Sequence, residues 1–181
     1  MDMIFRPQRY LTAILGLCLA ASAWAAVPSA NEVLNTALAE AKAEQKNVLI
    51  HFGASWCTWC RHLDAMLEGP ELGQLFHDNY VITHLTILES ADKKALENPG
   101  ALEMATDAGG GEKGGVPFYI FFDSDGHRLA TSMVMPNGGN IGHPVSPEEI
   151  KAFVGLLEKT APRMTAADRD RVAEYLAKQK H

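Results

Sequence analysis

With 181 residues, 47% of them hydrophobic, the chain is long enough for one domain with a sizeable core and too apolar to be largely disordered. Its formal net charge of −6 argues against a surface built for non-specific nucleic-acid binding.

The N-terminus does not read as part of that domain. Arg6 and Arg9 precede an apolar run from Leu11 to Ala21, and Ala23-Trp24-Ala25 offers the small residues of a cleavage site. Residues 1–25 therefore read as a secretory signal peptide cleaved after Ala25. The run is shorter than the roughly 18 apolar residues of a spanning helix, so no stable membrane insertion is expected after cleavage. A lipoprotein reading through Cys18 is disfavoured, because bulky Leu17 stands where a small residue is wanted. Removal of residues 1–25 leaves 14 basic and 21 acidic residues, a charge of −7. Residues 26–181 then form a single domain in a periplasmic or secreted protein.

Ser29-Ala30-Asn31-Glu32 is a capping box, and Val33, Leu34, Ala37, Leu38 and Ala41 make one apolar face of a helix from about Ala30 to Gln45. Asn47 to Phe52 reads as a buried strand. A helix follows from Cys57 until Gly69-Pro70 interrupts it, and a second helical piece runs from Pro70 to His77. Tyr80 to Leu88, rich in β-branched residues, is the next strand.

From Glu89 to Gly115 the pattern is weak. A helical start is broken at Pro99-Gly100, resumes over Ala101 to Ala108, and ends in a glycine-rich stretch, residues 109–115, expected to be a flexible loop. That loop reads either as a surface insertion or as the mobile edge of a groove. Phe118 to Asp123 and His127 to Val134 are strands joined by the turn Asp123-Ser124-Asp125-Gly126. Met135 to Val145 is irregular. Ser146-Pro147-Glu148-Glu149 starts a helix with the stripe Ile150, Phe153, Val154 and Leu157. A last helix spans about 165–178, with Val172, Tyr175 and Leu176, and either packs on the domain or mediates a weak dimer. The order βαβ then ββα predicts an α/β fold with a mixed sheet and helices on both faces.

With Cys18 removed, Cys57 and Cys60 are the only cysteines left. A loop this short constrains little of the unfolded chain, so the pair reads as redox-active rather than structural. Its place, between a strand and a helix, sets one sulfur at a helix N-terminus, where unpaired N–H groups and the dipole favour a thiolate. Arg61 follows Cys60 where a haem site would need histidine. The mature chain lacks the four clustered ligands usual for zinc, and no phosphate loop is present. No cofactor and no metal are expected beyond the Cys57–Cys60 couple.

These features together resemble the thioredoxin superfamily. The resemblance rests on Trp56-Cys57-Thr58-Trp59-Cys60 after a strand and on Gly115-Val116-Pro117 before another, and covers about residues 29–160. Phe52-Gly53-Ala54-Ser55-Trp56 and Phe121-Phe122-Asp123-Ser124-Asp125-Gly126 are similar to the exported branch related to the C-terminal domain of the membrane electron transporter for disulfide reduction. The resemblance implies a thioredoxin fold carrying an inserted glycine-rich loop and an extra C-terminal helix.

It also implies a thiol–disulfide oxidoreductase acting on protein thiols and disulfides, as a reductant fed by a membrane electron donor. A disulfide oxidant or isomerase, or a non-catalytic binding module on the same scaffold, are the alternatives. Cys57, at the exposed helix end, would be the nucleophile and Cys60, a turn in and shielded, the resolving thiol. Pro117 would match the family's cis-proline and aim the Val116 backbone at substrate, against an ordinary trans proline. Trp56 would cover the disulfide, against plain core.

Two departures stand out. Thr58 and Trp59 replace the Gly-Pro of the thioredoxins proper, so direction and potential do not transfer; Arg61 and His62 lie close enough to tune the thiolate. His51 occupies the position of a buried acid, and His84 that of a lysine. His51 is therefore read as a proton relay for Cys60, against a histidine merely satisfied within its strand. The oligomeric state stays open.

Overall fold

The computed structural model describes residues 26–179. The signal-peptide reading and the alternative at Cys18 lie outside them. Among the described residues no helix is long and apolar enough to cross a membrane.

Helix α1 (Ala30–Glu44) opens with the expected capping box, in which Ser29 and Glu32 satisfy each other's backbone N–H. It is followed by strand β1 (Asn47–Gly53), helices α2 (Thr58–Glu68) and α3 (Gly73–His77), and strand β2 (Tyr80–Thr86). A short 3₁₀ helix, Ala91–Leu96, and α4 (Ala101–Asp107) lead to strands β3 (Phe118–Phe122) and β4 (Arg128–Thr131). Helices α5 (Pro147–Thr160) and α6 (Ala166–Lys178) complete the fold. β2 and β4 are both shorter than the sequence pattern suggests. Past each end one backbone bond persists, Ile87 N–H to the Gly53 carbonyl and Ser132 N–H to the Tyr119 carbonyl, and the regular ladder stops there.

The sheet order is β2-β1-β3-β4. β1 runs parallel to β2, and β3 is antiparallel to both β1 and β4. The thioredoxin-type arrangement, a mixed sheet with helices on both faces, is thus present. Side chains alternate along β1, so two cores form. Val48, Ile50 and Phe52 join Phe118, Ile120 and Phe122 against α1 and α4. Leu49, Tyr119 and Phe121 face α2, α3, α5 and α6. His51 and Gly53 share Leu49's side of the strand and so lie beneath α2. Helix α6 packs on the domain, burying Val172 and Leu176 in that second core.

The glycine-rich stretch departs from the expected flexible loop. Gly110 N–H donates to Ala105 carbonyl (2.8 Å) and Gly115 N–H to Gly111 carbonyl (2.9 Å), closing a compact turn against β3. A Cβ at Gly110 would stand 2.7 Å from the Phe118 ring. Glycine is present here to allow close packing rather than mobility. Gly110→Ala should therefore lower stability by about 1–2 kcal/mol through overpacking, read as a reduced urea midpoint at unchanged m-value.

Candidate active site

β1 ends at Gly53, and the chain turns through Ala54 to Cys57, whose N–H donates to Ala54 carbonyl (3.0 Å). Cys57 is extended (φ −78°, ψ 105°) and is the N-cap of α2, with its Sγ accepting the Cys60 N–H at 3.0 Å. Sulfur thus occupies the place that a serine or aspartate oxygen usually takes at a helix start. In the reduced protein the same N–H and the helix dipole favour Cys57 as thiolate.

Cys57 and Cys60 form a disulfide. Both are only 3% exposed, which corrects the expectation of an exposed Cys57 beside a shielded Cys60. Both cysteines pack with Ala54 and Val116, which cover them.

The Val116–Pro117 peptide bond is cis. Both residues, with Trp59, Gly114, Gly115 and the 140–145 segment, line a groove of about 540 Å³ beside the disulfide. Asn140 fixes two of these walls by donating to the carbonyls of Gly114 (2.9 Å) and Pro117 (2.8 Å). Trp59, 41% exposed, stacks on His143 with ring centres 5.8 Å apart, and both contact the His62 ring. Thr58 is exposed and accepts from Arg61, whose guanidinium also reaches the Ser55 carbonyl. Arg61 therefore braces the loop onto the helix.

Trp56 is not core. It is 56% exposed, and its Nε1–H donates to the Leu88 carbonyl at 2.8 Å. Beside it, buried Glu89 accepts from both the N–H and the hydroxyl of Ser55, the latter at 2.8 Å. The segment after β2 thus latches the loop before Cys57. Reading the sequence misses Glu89 and Asn140, since each acts on a partner far along the chain. The available hint was that parallel β1 and β2 end side by side.

His51 is 1% exposed, and its Nδ1–H donates to Asp64 at 2.7 Å. It pairs in register with His84, whose ring meets it edge-on at 4.6 Å. Burial pushes the Asp64 carboxyl up, but the His51 hydrogen bond and the charges of His51 and His84 outweigh it and leave it below the usual value. Burial and His51 push His84 down, against the pull of Asp64. The three side chains bring potential metal-ligating atoms within 4.8 Å of one another; the His51–Asp64 hydrogen bond already accounts for that closeness.

The site residues expected from sequence fall into two groups. Cys57, Cys60, Trp59, Val116 and Pro117 gather at or beside the groove, with Trp56 and Thr58 near them, while His51 lies beneath α2, bonded to Asp64. In structure the chain is similar to a disulphide isomerase from Xylella fastidiosa Temecula1 (21% identity, 91% of this chain and 98% of that one, TM-score 0.48). It is also similar to a DsbH oxidoreductase (18% identity, 84% and 96%, TM-score 0.46). A third likeness is to the oxidised C-terminal domain of DsbD from Neisseria meningitidis (22% identity, 59% and 84%, TM-score 0.40). No curated protein matches the chain significantly. The family model described as Thioredoxin-like matches residues 30–124, more than half of the sequence and all of the site except the Asn140–Glu149 wall of the groove. With its C-x-x-C disulfide on the first turn of α2, the chain belongs to the thioredoxin-like family.

Proposed function

We propose that the protein is an exported thiol–disulfide oxidoreductase that reduces disulfides of proteins in the cell envelope and receives its electrons from a membrane donor. The observation that carries this reading is the Cys57–Cys60 disulfide, capping α2 at the edge of a groove walled by Val116, Pro117 and Trp59. Export is supported by the signal-like residues 1–25 and by the acidic composition of the rest. No cofactor is required beyond the two cysteines.

In the reduced protein, the Cys57 thiolate attacks one sulfur of a substrate disulfide. A Cys57–substrate bond forms, the substrate S–S bond breaks, and the departing sulfur leaves as a thiolate that takes a proton from water. Cys60 then attacks Cys57 Sγ, forming the internal disulfide and releasing the second substrate thiol. Two electrons pass from the cysteine pair to the substrate. The groove supplies an apolar flank for the chain that carries the substrate disulfide, with Trp59 and Pro117 as its walls.

The deciding measurement is the reduction potential of the Cys57–Cys60 couple in defined thiol buffers. The expected value is near about −270 mV, that of a reductant needing a dedicated electron source. A value near about −120 mV would make it an oxidant of newly exported chains. A pair that does not cycle would leave a binding module.

A further inference from the structure

One wall of the substrate groove, residues 140–145, is carried by no helix or strand. Asn140 ties its start to the Gly114 and Pro117 carbonyls, and the Ile141 N–H donates to the Ser132 carbonyl at 3.0 Å. Its end is fixed where the Val145 and Ser146 N–H groups donate to Glu149, at 3.0 and 2.8 Å. Between these ties stands His143, which lines the groove although only 5% of it is exposed. Side chains from two helices meet it there. Trp59, between the two cysteines on α2, stacks on the imidazole with the ring planes 21° apart. Gln179, the C-cap of α6, reaches it at 3.1 Å; the amide Oε1 can only accept, so His143 Nε2–H donates.

We propose that α6 takes part in substrate binding: Gln179 is a positioning residue that holds His143 against Trp59 and so keeps the groove shaped for the polypeptide that carries a substrate disulfide. This deepens the oxidoreductase reading and rests on it. Cys57, Cys60 and Pro117 all fall within the thioredoxin-like match, residues 30–124, and α6 lies beyond it. What α6 contributes is therefore separable from the exchange of the sulfur bonds itself.

Val172 and Leu176 anchor α6 in the core, and half-buried Gln179 is presented from that fixed end. A buried imidazole N–H that loses its acceptor must find another or move toward water. Loss of the Gln179 amide would draw the His143 ring out of its place, and the stack that braces Trp59 would go with it. Gln179 is not among the residues that line the groove, so it acts through His143. A small disulfide needs only the sulfurs at the first turn of α2 and is indifferent to the far wall. A polypeptide lying between Trp59 and Pro117 is not.

The test compares two substrates of the reduced protein: a disulfide-bridged peptide long enough to lie along the groove, and a small aromatic disulfide whose released thiolate is coloured. The quantity read is the ratio of the two second-order rates, which a general loss of folded or active protein does not move. Gln179→Ala should lower that ratio about three- to tenfold, the scale of one hydrogen bond. Gln179→Glu, whose carboxylate accepts from the same His143 N–H, should restore it. An unchanged ratio in Gln179→Ala, including one in which both substrates slow alike, overturns the role of α6 and leaves the oxidoreductase reading standing. So does a ratio that Gln179→Glu fails to restore. A native protein that reduces neither substrate overturns the oxidoreductase reading and the role of α6 with it.

Discussion

Cys57→Ser is expected to reduce disulfide exchange to the uncatalysed background, whereas Cys60→Ser should halt the reaction halfway. The reason lies in the cap. Cys57 Sγ accepts the backbone N–H of residue 60, not its side chain, so replacing Cys60 leaves the thiolate stabilisation of Cys57 intact. Cys60→Ser should therefore attack substrate disulfides at close to the native rate and then accumulate mixed disulfides, visible as reductant-sensitive adducts on a gel. Alkylation of Cys57 in that variant should follow a pH midpoint below the roughly 8.5 of a free thiol. A midpoint at or above that value would show that the N-cap geometry does not persist once the disulfide opens.

Much of this arrangement is legible in the residues, for reasons that can be named. The capping box at Ser29, the cap at Ser146, the proline at the first position of α5 and the apolar run of β1 are short-range signals, and each element starts where they place it. Cys57 and Cys60 are equally local, because a strand followed at once by a helix dictates which sulfur meets the helix end. What is not legible depends on register and close approach. The mutual orientation of His51, Asp64 and His84 requires β2 to pair with β1 at one register and α2 to lie across both. The 109–115 stretch misleads because glycines that permit motion and glycines that permit packing read alike; the Phe118 ring against Gly110 decides between them. Cys57 is buried for a related reason, since the cover from Val116 arrives from a segment almost sixty residues away.

Glu89→Ala should cost about 2–3 kcal/mol of stability, the scale of a charge-assisted hydrogen-bond pair lost from a buried carboxylate. Glu89 is 4% exposed and accepts from the Ser55 N–H and hydroxyl together, with Lys93 Nζ 3.3 Å from the same hydroxyl. Neighbouring bonds point the same way: Trp56 Nε1–H reaches the Leu88 carbonyl, and Ile87 N–H the Gly53 carbonyl. The loop leading into Cys57 therefore hangs from the segment after β2, where Glu89 accepts two hydrogen bonds from Ser55 and Lys93 donates one to the Ser55 hydroxyl. Glu89→Gln keeps one acceptor for the Ser55 N–H and turns an amide donor toward a hydroxyl that can accept it. It should lose only about 1 kcal/mol, without the charge. Urea midpoints of the oxidised proteins test this, and equal losses in the two variants would show that the carboxylate is not the latch. Because the loop carries Cys57, Glu89→Ala should also slow the attack of Cys57 on a substrate disulfide. That effect follows from the geometry: the Ser55 that Glu89 grips lies two residues before Cys57, on the loop that leads into the helix cap.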